Sequence, residues 1–496
     1  MTLPYLSTTI RDPGLAKTSP TSAIALVMGI TNSGTAATVG SYNSISDLVT
    51  AYGYGPAVEA AAAVLNFGGG PVRFVKIAQS AAGAMVTSPM TKSGSGPDIT
   101  NNVSVPLDAY EVQITITVGG AIGTSRMTYS LDGGRTVSPP VATAATYTIA
   151  NSGVLFTMAV GTYVVGDVYT TTTTNPVYTG TELAAAFTAL NTTVSQLSWD
   201  FGILAGRHAT ATAANTIMAA LTTGRGALPE PAKNRPWMMD AGADNVATTL
   251  STLTATDRWV SPCYSWITMA SSCPVVGRAM PKLPTYVQEA IKAATEKIST
   301  HFGRVASGPL TASAGWSTQY GVPVGHDEYF TPGLDDSGIT TTRTVPGSTG
   351  YYLSGGRMKS ALGSDFTDWH HARIFAEAHR VIHAQELLAL NRSWAVKSNG
   401  TLVEDEAAAF EAVVNAQIKA IMHTPNAEGT IGHVSIDGED PGYYYRLSRT
   451  QNVLATSQIV TEWGLRPRGY SKYITTTGGF TAVTTPAATA TETETE

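Results

Sequence analysis

Helix and strand signals that alternate on either side of a helix-poor stretch predict an α/β and α+β multidomain protein. The expected layout is an α/β core interrupted by an inserted all-β domain, then a C-terminal α+β domain, with extended N- and C-terminal arms. Three observations carry this. Ala23–Ile30 is a continuous apolar run of strand length, as expected for a strand buried on both faces. From about Thr87 the texture turns to Gly, Pro, Ser and Thr and helical periodicity vanishes. After Asp365 come the strongest helical patterns of the chain and then antiparallel strand candidates.

Residues 1–22 contain Pro4, Pro13 and Pro20 and read as an extended arm. Fully stretched, such a segment reaches roughly 70 Å. Leu6, Ser7, Thr8, Thr9 and Ile10 have the β-prone character of a short pairing strand, and a frayed terminus is an equally economical reading. The core then occupies 23–86 and 175–355. Ser46 and Asp47 supply caps for a short helix ending near Gly53, Pro56 suits the first turn of another, and Gly68-Gly69-Gly70 stops that one. Val72–Ile77 alternates as a strand, so the unit is strand, two helices, strand, with a right-handed parallel pairing.

The insertion is placed at 87–174. Tyr110–Val118 is apolar at alternate positions, Met127–Leu131 runs into the hairpin signal Asp132-Gly133-Gly134, and Tyr147–Ile149, Val154–Met158 and Tyr163–Tyr169 extend the pattern, which stops at Thr170–Thr174. Helix and strand then alternate again: helices over Thr181–Leu190, Ala211–Thr222, Ala247–Thr254 and Tyr286–Phe302, strands over Phe201–Ala205, Trp237–Asp240, Ser261–Met269 and Val275–Arg278. Gly303–Gly363 reads as a long ordered loop. The C-terminal domain spans 356–463, with helices from Asp365 to about Trp394 and over Glu404–Met422, and strands at Thr430–Ile436, Tyr443–Leu447 and Ser457–Glu462. A strand arm at 464–480 and a Thr/Ala/Glu tail at 481–496, expected to be disordered, close the chain.

Charged residues make up 13% of the 496 and apolar ones 43%, so Thr, Ser, Ala and Gly stand where charge is usual. A surface so poor in charge lacks the repulsion that keeps copies apart, which points to coverage by sister subunits; a stable exported enzyme is the alternative. A net charge of −6 gives no global reason to expect nucleic acid. Cys263 and Cys273 match neither a redox pair nor a zinc site and read as buried thiols of a reducing compartment, and no early apolar run has the length of a membrane span.

Chemistry is sparse. His379 and His383 lie four apart with Glu386 nearby, but the glutamate of HExxH is missing, so a packed helix face is the better reading. His370 and His371 are adjacent, hence expected on different helix faces and not as joint ligands. Asp327, Glu328, Asp335 and Asp336 cluster in the long loop and read as solvated acids. No catalytic, cofactor-binding or metal-ligating residues are assigned. What the sequence singles out is a β-prone terminal run, Tyr470, Ser471, Lys472, Tyr473 and Ile474, able to pair with a free sheet edge of a neighbour. Arg466, Arg468 and Lys472 give it positive charge, either to meet an acidic partner surface or to keep an edge strand from indiscriminate pairing.

These residues carry a resemblance. Ala23–Ile30, then Gly40-Ser41-Tyr42-Asn43-Ser44-Ile45 with Leu48 and Tyr52-Gly53, an alanine-rich helix, Phe67-Gly68-Gly69-Gly70 and Val72–Ile77 resemble the opening of contractile tail sheath proteins. Gly363-Ser364-Asp365-Phe366 with Arg373, Asn452–Thr456, and Leu465-Arg466-Pro467-Arg468-Gly469-Tyr470 are similar to that family's C-terminal domain. The resemblance implies a non-enzymatic subunit of hexameric rings stacked around a tail tube, whose arms thread into neighbours and whose inserted β-domain faces outward. It also implies the tail tube, baseplate and tail terminator proteins as partners, with neither direct nucleic-acid contact nor stable membrane insertion. The place is the tail of a phage virion or related injection particle, assembled in the host cytoplasm. A metal-dependent hydrolase centred on His379, His383 and the acidic loop, and a carbohydrate-binding adhesin, are the alternatives.

Overall fold

The computed structural model describes residues 23–68, 70–193, 198–269, 274–275, 278–279, 282–319, 322–323, 325–425, 432–472 and 474. Leu6–Ile10, Cys273, Tyr473 and the tail lie outside them.

The chain enters the core at β1 (Ala25–Gly29), every residue of which is buried. Ala25 and Val27 face one apolar cluster while Leu26 and Met28 face another, the period of two that a strand between two layers requires. With β2 (Val39–Tyr42), β3 (Val72–Lys76), β12 (Phe201–Ala205), β13 (Trp237–Asp240) and β14 (Val260–Cys263), it forms a six-stranded sheet in the order β14-β13-β12-β1-β3-β2. All neighbours are parallel except β2, which runs antiparallel to β3 at the edge. The expected parallel pairing of β1 with β3 is present.

Helices α1 (Ile45–Tyr52) and α2 (Pro56–Ala63) connect these strands. The cap of α1 is Ser44, whose Oγ accepts from the Asp47 N–H at 3.1 Å, not Ser46 or Asp47 as the sequence suggested. Helix α2 and α6 (Thr285–Thr295) cover one face of the sheet; α3 (Gly180–Thr193) and α4 (Ala211–Gly226) cover the other. A short helix, α5 (Val246–Thr252), precedes β14. Helix α6 stops at Thr295, short of the expected Phe302, and the strand expected over Ser261–Met269 is two. Ser265, at φ 92°, breaks it, and Trp266–Met269 turns away to pair with Lys282–Pro284 and Ser313–Trp316.

Between Thr91 and Thr172 all the regular structure is β. Two sheets form there: β5 (Ile99–Asn101), β10 (Val154–Met158) and β9 (Thr146–Ile149); and β4 (Thr91–Ser93), β11 (Val168–Thr172), β6 (Glu111–Val118), β7 (Arg126–Ser130) and β8 (Val141–Ala142), each in that spatial order. They enclose their own cluster around Phe156, Ile114, Met127 and Tyr169. The Asp132-Gly133 turn does not close a tight hairpin: Asp132 accepts from Thr136 and Ser130 in a longer connection, and β11 continues through Thr170–Thr172. Two chain crossings tether the region, Ala81 bridging Val177 and Met85 bridging Thr173. Asp108 adds a buried ion pair to Arg207, with Nη2 to Oδ2 at 2.6 Å.

The expected long loop contains a hairpin, Thr342–Val345 with Ser348–Leu353, closed by Pro346-Gly347 with Gly347 at φ 80°. Helix α7 then runs Trp369–Ala389, shorter at both ends than expected, and α8 spans Glu404–Met422 as expected. The two layers meet at α7. Trp369, Ala372 and Ala376 enter the core cluster beside the sheet, whereas Ile374, Ala378 and Ile382 pack with Phe410, Val414 and Ile418 of α8.

Candidate functional site

The end of the chain carries the residues that sequence alone placed at a subunit contact. Tyr443–Leu447 alternates buried and exposed, setting Tyr443, Tyr445 and Leu447 against α8, and pairs antiparallel with Thr461–Leu465 from Tyr443↔Leu465 to Leu447↔Thr461. Gly464 and Leu465 therefore finish this strand and do not start an arm. Arg449 ties the turn to α8: its guanidinium reaches Glu404 at 2.8 Å and Glu411 at 2.6 Å. Among the described residues the sheet has two strands only, and both outer edges offer backbone groups, fewer along Tyr443–Leu447, where the Tyr445 carbonyl accepts from Asn415, the Leu447 N–H donates to Glu411 and the Leu447 carbonyl accepts from Arg449.

Beyond Leu465 the chain leaves strand geometry but stays on its own body. The Arg466 N–H donates to the Gly442 carbonyl, and the Arg466 carbonyl accepts from Ser435 N–H, both at 2.8 Å. Its guanidinium pairs with Asp440 and lies 3.9 Å from Asp437. Arg468 lies close enough to His433 to help burial, Lys297 and Arg373 lower that imidazole to about 4. Tyr470 donates its hydroxyl to the Ser299 carbonyl, and its ring sits 4.1 Å from the His370 ring, 5.7 Å from His301 and 6.2 Å from His371. Lys472 reaches Asp335 at 2.8 Å and Asp336 at 2.7 Å. Burial works against its charge, but these two carboxylates raise its pKa above the ordinary lysine value. Ser471 and the 82% exposed Ile474 line an adjoining cavity of about 450 Å³. Arg466 and Lys472 thus face acids of the same chain in this single subunit.

Of the four loop acids only Asp336, 68% exposed, is solvated as expected. Asp335 is buried, Glu328 accepts the N–H groups of Gly333 and Asp335 and meets His326 at 2.8 Å, and Asp327 holds Thr344 by its N–H and hydroxyl. These acids close turns. His379 stacks on Trp463 with the ring planes 16° apart and meets Asn234 at 3.2 Å, in keeping with a packed helix face. Cys263 is buried and donates its thiol to Glu289. His370 and His371, expected on different faces, come together: their ring centroids are 4.3 Å apart. Adjacent helical residues point about 100° apart but their Cα atoms are only about 3.8 Å apart, so two rings can still meet edge to face. The group that His301, His370, His371 and Tyr470 form was missed; its one local signal is the Asp-x-His-His run at 368–371.

No protein-family model matches the chain, and no curated protein matches it by sequence. Solved structures do. The helical sheath of the anti-feeding prophage in its contracted state superposes with a TM-score of 0.50 at 11% identity, over 97% of this chain and 99% of that one. The chain has the fold of a contractile sheath protein. A chain of the contracted anti-feeding prophage baseplate superposes with a TM-score of 0.50 at 10% identity, over 96% and 98%. The sheath tail protein of Listeria innocua aligns at 8% identity over 90% and 92%, with a TM-score of 0.45. No described helix is long and apolar enough to cross a membrane.

Proposed function

We propose that this chain is the structural subunit of a contractile tail sheath, which polymerises helically around a tail tube and shortens to drive the tube through a target envelope. The carrying observation is an alignment with a contracted sheath subunit that leaves almost nothing over in either chain. Hexameric rings stack through contacts that repeat along the axis without closing, so a filament results. The partners are further copies of itself, the tail tube, the baseplate and the tail terminator, in a particle assembled in the host cytoplasm, and the role is mechanical, without catalysis.

The two-stranded sheet of Tyr443–Leu447 and Thr461–Leu465 receives the arms of sister subunits at its open edges. Residues Leu6–Ile10 supply one strand and Tyr470–Ile474 the other. About five backbone hydrogen bonds at roughly 1 kcal/mol each make such a linkage worth about 5 kcal/mol, enough to persist while the bodies rotate. Residues 23–86 and 175–355 form the moving body, 87–174 an outward decoration, and 356–463 the tube-proximal part. In the free subunit Arg466 and Lys472 meet their own acids, and polymerisation exchanges the Lys472 contacts for those of a neighbour.

Electron microscopy of the purified full chain tests this. Long hollow tubes are expected, and a chain that stays dispersed at high concentration and fails to add to preformed baseplates overturns the proposal.

A further inference from the structure

The start of α7 holds a set of side chains that packing alone leaves unsatisfied. Asp368 precedes the helix in extended geometry, and His370 and His371 follow in its first turn. One ligand atom of each lies within 4.8 Å of the others. Nε2 of His370, a residue only 2% exposed, has no hydrogen-bond partner, and neither ring nitrogen of His371 has one. Two other buried histidines are engaged, His433 with Ser299 at 2.6 Å and His326 with Glu328 at 2.8 Å, and His208 leaves one nitrogen without a partner, but among the described residues only at the start of α7 do such atoms gather beside a carboxylate. A buried polar atom without a partner is costly, and three at one spot require a cause.

We propose that Asp368, His370 and His371 bind a divalent transition metal ion of the zinc, nickel or cobalt class. The donors are two imidazoles and one carboxylate, the set such ions take with one position left open. Asp368 and His370 line the cavity of about 450 Å³ beside Tyr470, and His371 lines a second one of about 200 Å³ beside Phe375 and Trp463. Asp368 is already oriented from behind: Arg357 donates to Oδ1 at 2.6 Å and the Thr367 hydroxyl to Oδ2 at 3.0 Å. A carboxylate retains lone pairs after two such bonds, and ligating carboxylates are commonly held in this way.

Arg343, Arg357 and Lys472 line the neighbouring cavity and oppose every divalent ion alike, so the choice among ions rests on the donors, and a single carboxylate is too few oxygens for calcium. Nitrogen donors suit the softer ions. Donor atoms around a tetrahedral zinc lie roughly 3.3 Å apart, so separations of up to 4.8 Å close by as much as about 1.5 Å when the ion binds. An ion there would stiffen the floor on which Tyr470 rests, whether or not the chain builds sheaths.

Calorimetric titration of the untagged full chain with zinc, and the visible absorption of bound cobalt, test the site. About one ion per chain is expected, with affinity falling about tenfold or more in both His371→Ala and Asp368→Asn, and unchanged in His379→Ala. His371 is half-buried, so its variant keeps the fold, checked by circular dichroism; if Asp368→Asn does not fold, His371→Ala decides alone. Unchanged zinc affinity in His371→Ala, absence of binding up to millimolar zinc, or a cobalt signal lost only in His379→Ala overturns the proposal.

Discussion

The six-stranded sheet and the segment beyond Leu465 are held in opposite ways. The sheet is fixed by apolar shape. Gly202 leaves the space that Trp237 fills, since a Cβ there would come within 2.2 Å of the indole, and no surface contact could substitute for that fit. Past the backbone bonds of Arg466 and the bridge at Pro467, the terminal segment is held by side chains alone, Tyr470 on the Ser299 carbonyl and the histidine rings and Lys472 on two aspartates. Contacts of that kind exchange for equivalent ones elsewhere at little cost. A subunit that must keep its body rigid while its connections move needs both sorts, and this chain separates them along its length.

The largest effect should come from breaking the fixed side. Trp237→Ala is expected to lose about 4 kcal/mol of stability through the cavity it leaves, measured by urea unfolding. Asp108→Ala should lose about 3 kcal/mol, because the buried Arg207 guanidinium loses this carboxylate, although Trp266, 3.8 Å away, still stacks on it. That ion pair joins the β-rich insertion to the core, so unfolding should also split into two phases. A single unshifted transition in Asp108→Ala would mean that the chain crossings at Ala81 and Met85 carry the attachment alone.

The same contrast explains what could be read from sequence. Strands β1, β12 and β13 are legible because burial on both faces writes an unbroken apolar run. β2 escapes because it is an edge strand containing Gly40 and Ser41, with little β propensity, and its pairing to β3 supplies what its own residues lack. The break at Ser265 is invisible because periodicity records that a strand exists, not which sheet it joins. The histidine group depends on residues at 301, 370, 371 and 470, and no local pattern relates positions so far apart. The arm residues were legible as β-prone and basic, and their seat on the subunit's own body was not, since it lies on the acids of a different turn.

A pH titration sharpens the fixed side. Glu289 lies fully buried between Ser261 and Cys263, and burial raises its carboxyl to about 8 against the bonds these two donate. Its folded pKa is raised above the unfolded value near 4.5, so its contribution is fully present below pH 4.5 and is lost as pH rises to about 8. Wild-type stability should therefore fall across that window by up to about 1 kcal/mol per pH unit, and Glu289→Gln should flatten the fall. A slope unaltered in the variant would assign it to another group.

The smallest effect on stability should come from Lys472→Ala. The lysine is 46% exposed, and pairs of this kind contribute about 0–1 kcal/mol, so the melting temperature should scarcely move. Assembly should respond more. If the terminal segment must leave Asp335 and Asp336 before it can pair with a neighbour, removing that bond shortens the lag before tubes scatter light, and raised salt should shorten it in the wild type by screening the same charges. The variant should then be insensitive to salt over that range. A lag equal in both proteins would mean that the segment's seat on its own body does not compete with exchange. A chain cut after Gly469 separates the two roles, since it keeps the Thr461–Leu465 strand and its bridge through Pro467 to Val434 while lacking the C-terminal run that would be donated. It should fold and melt as the full chain does, yet form no tubes.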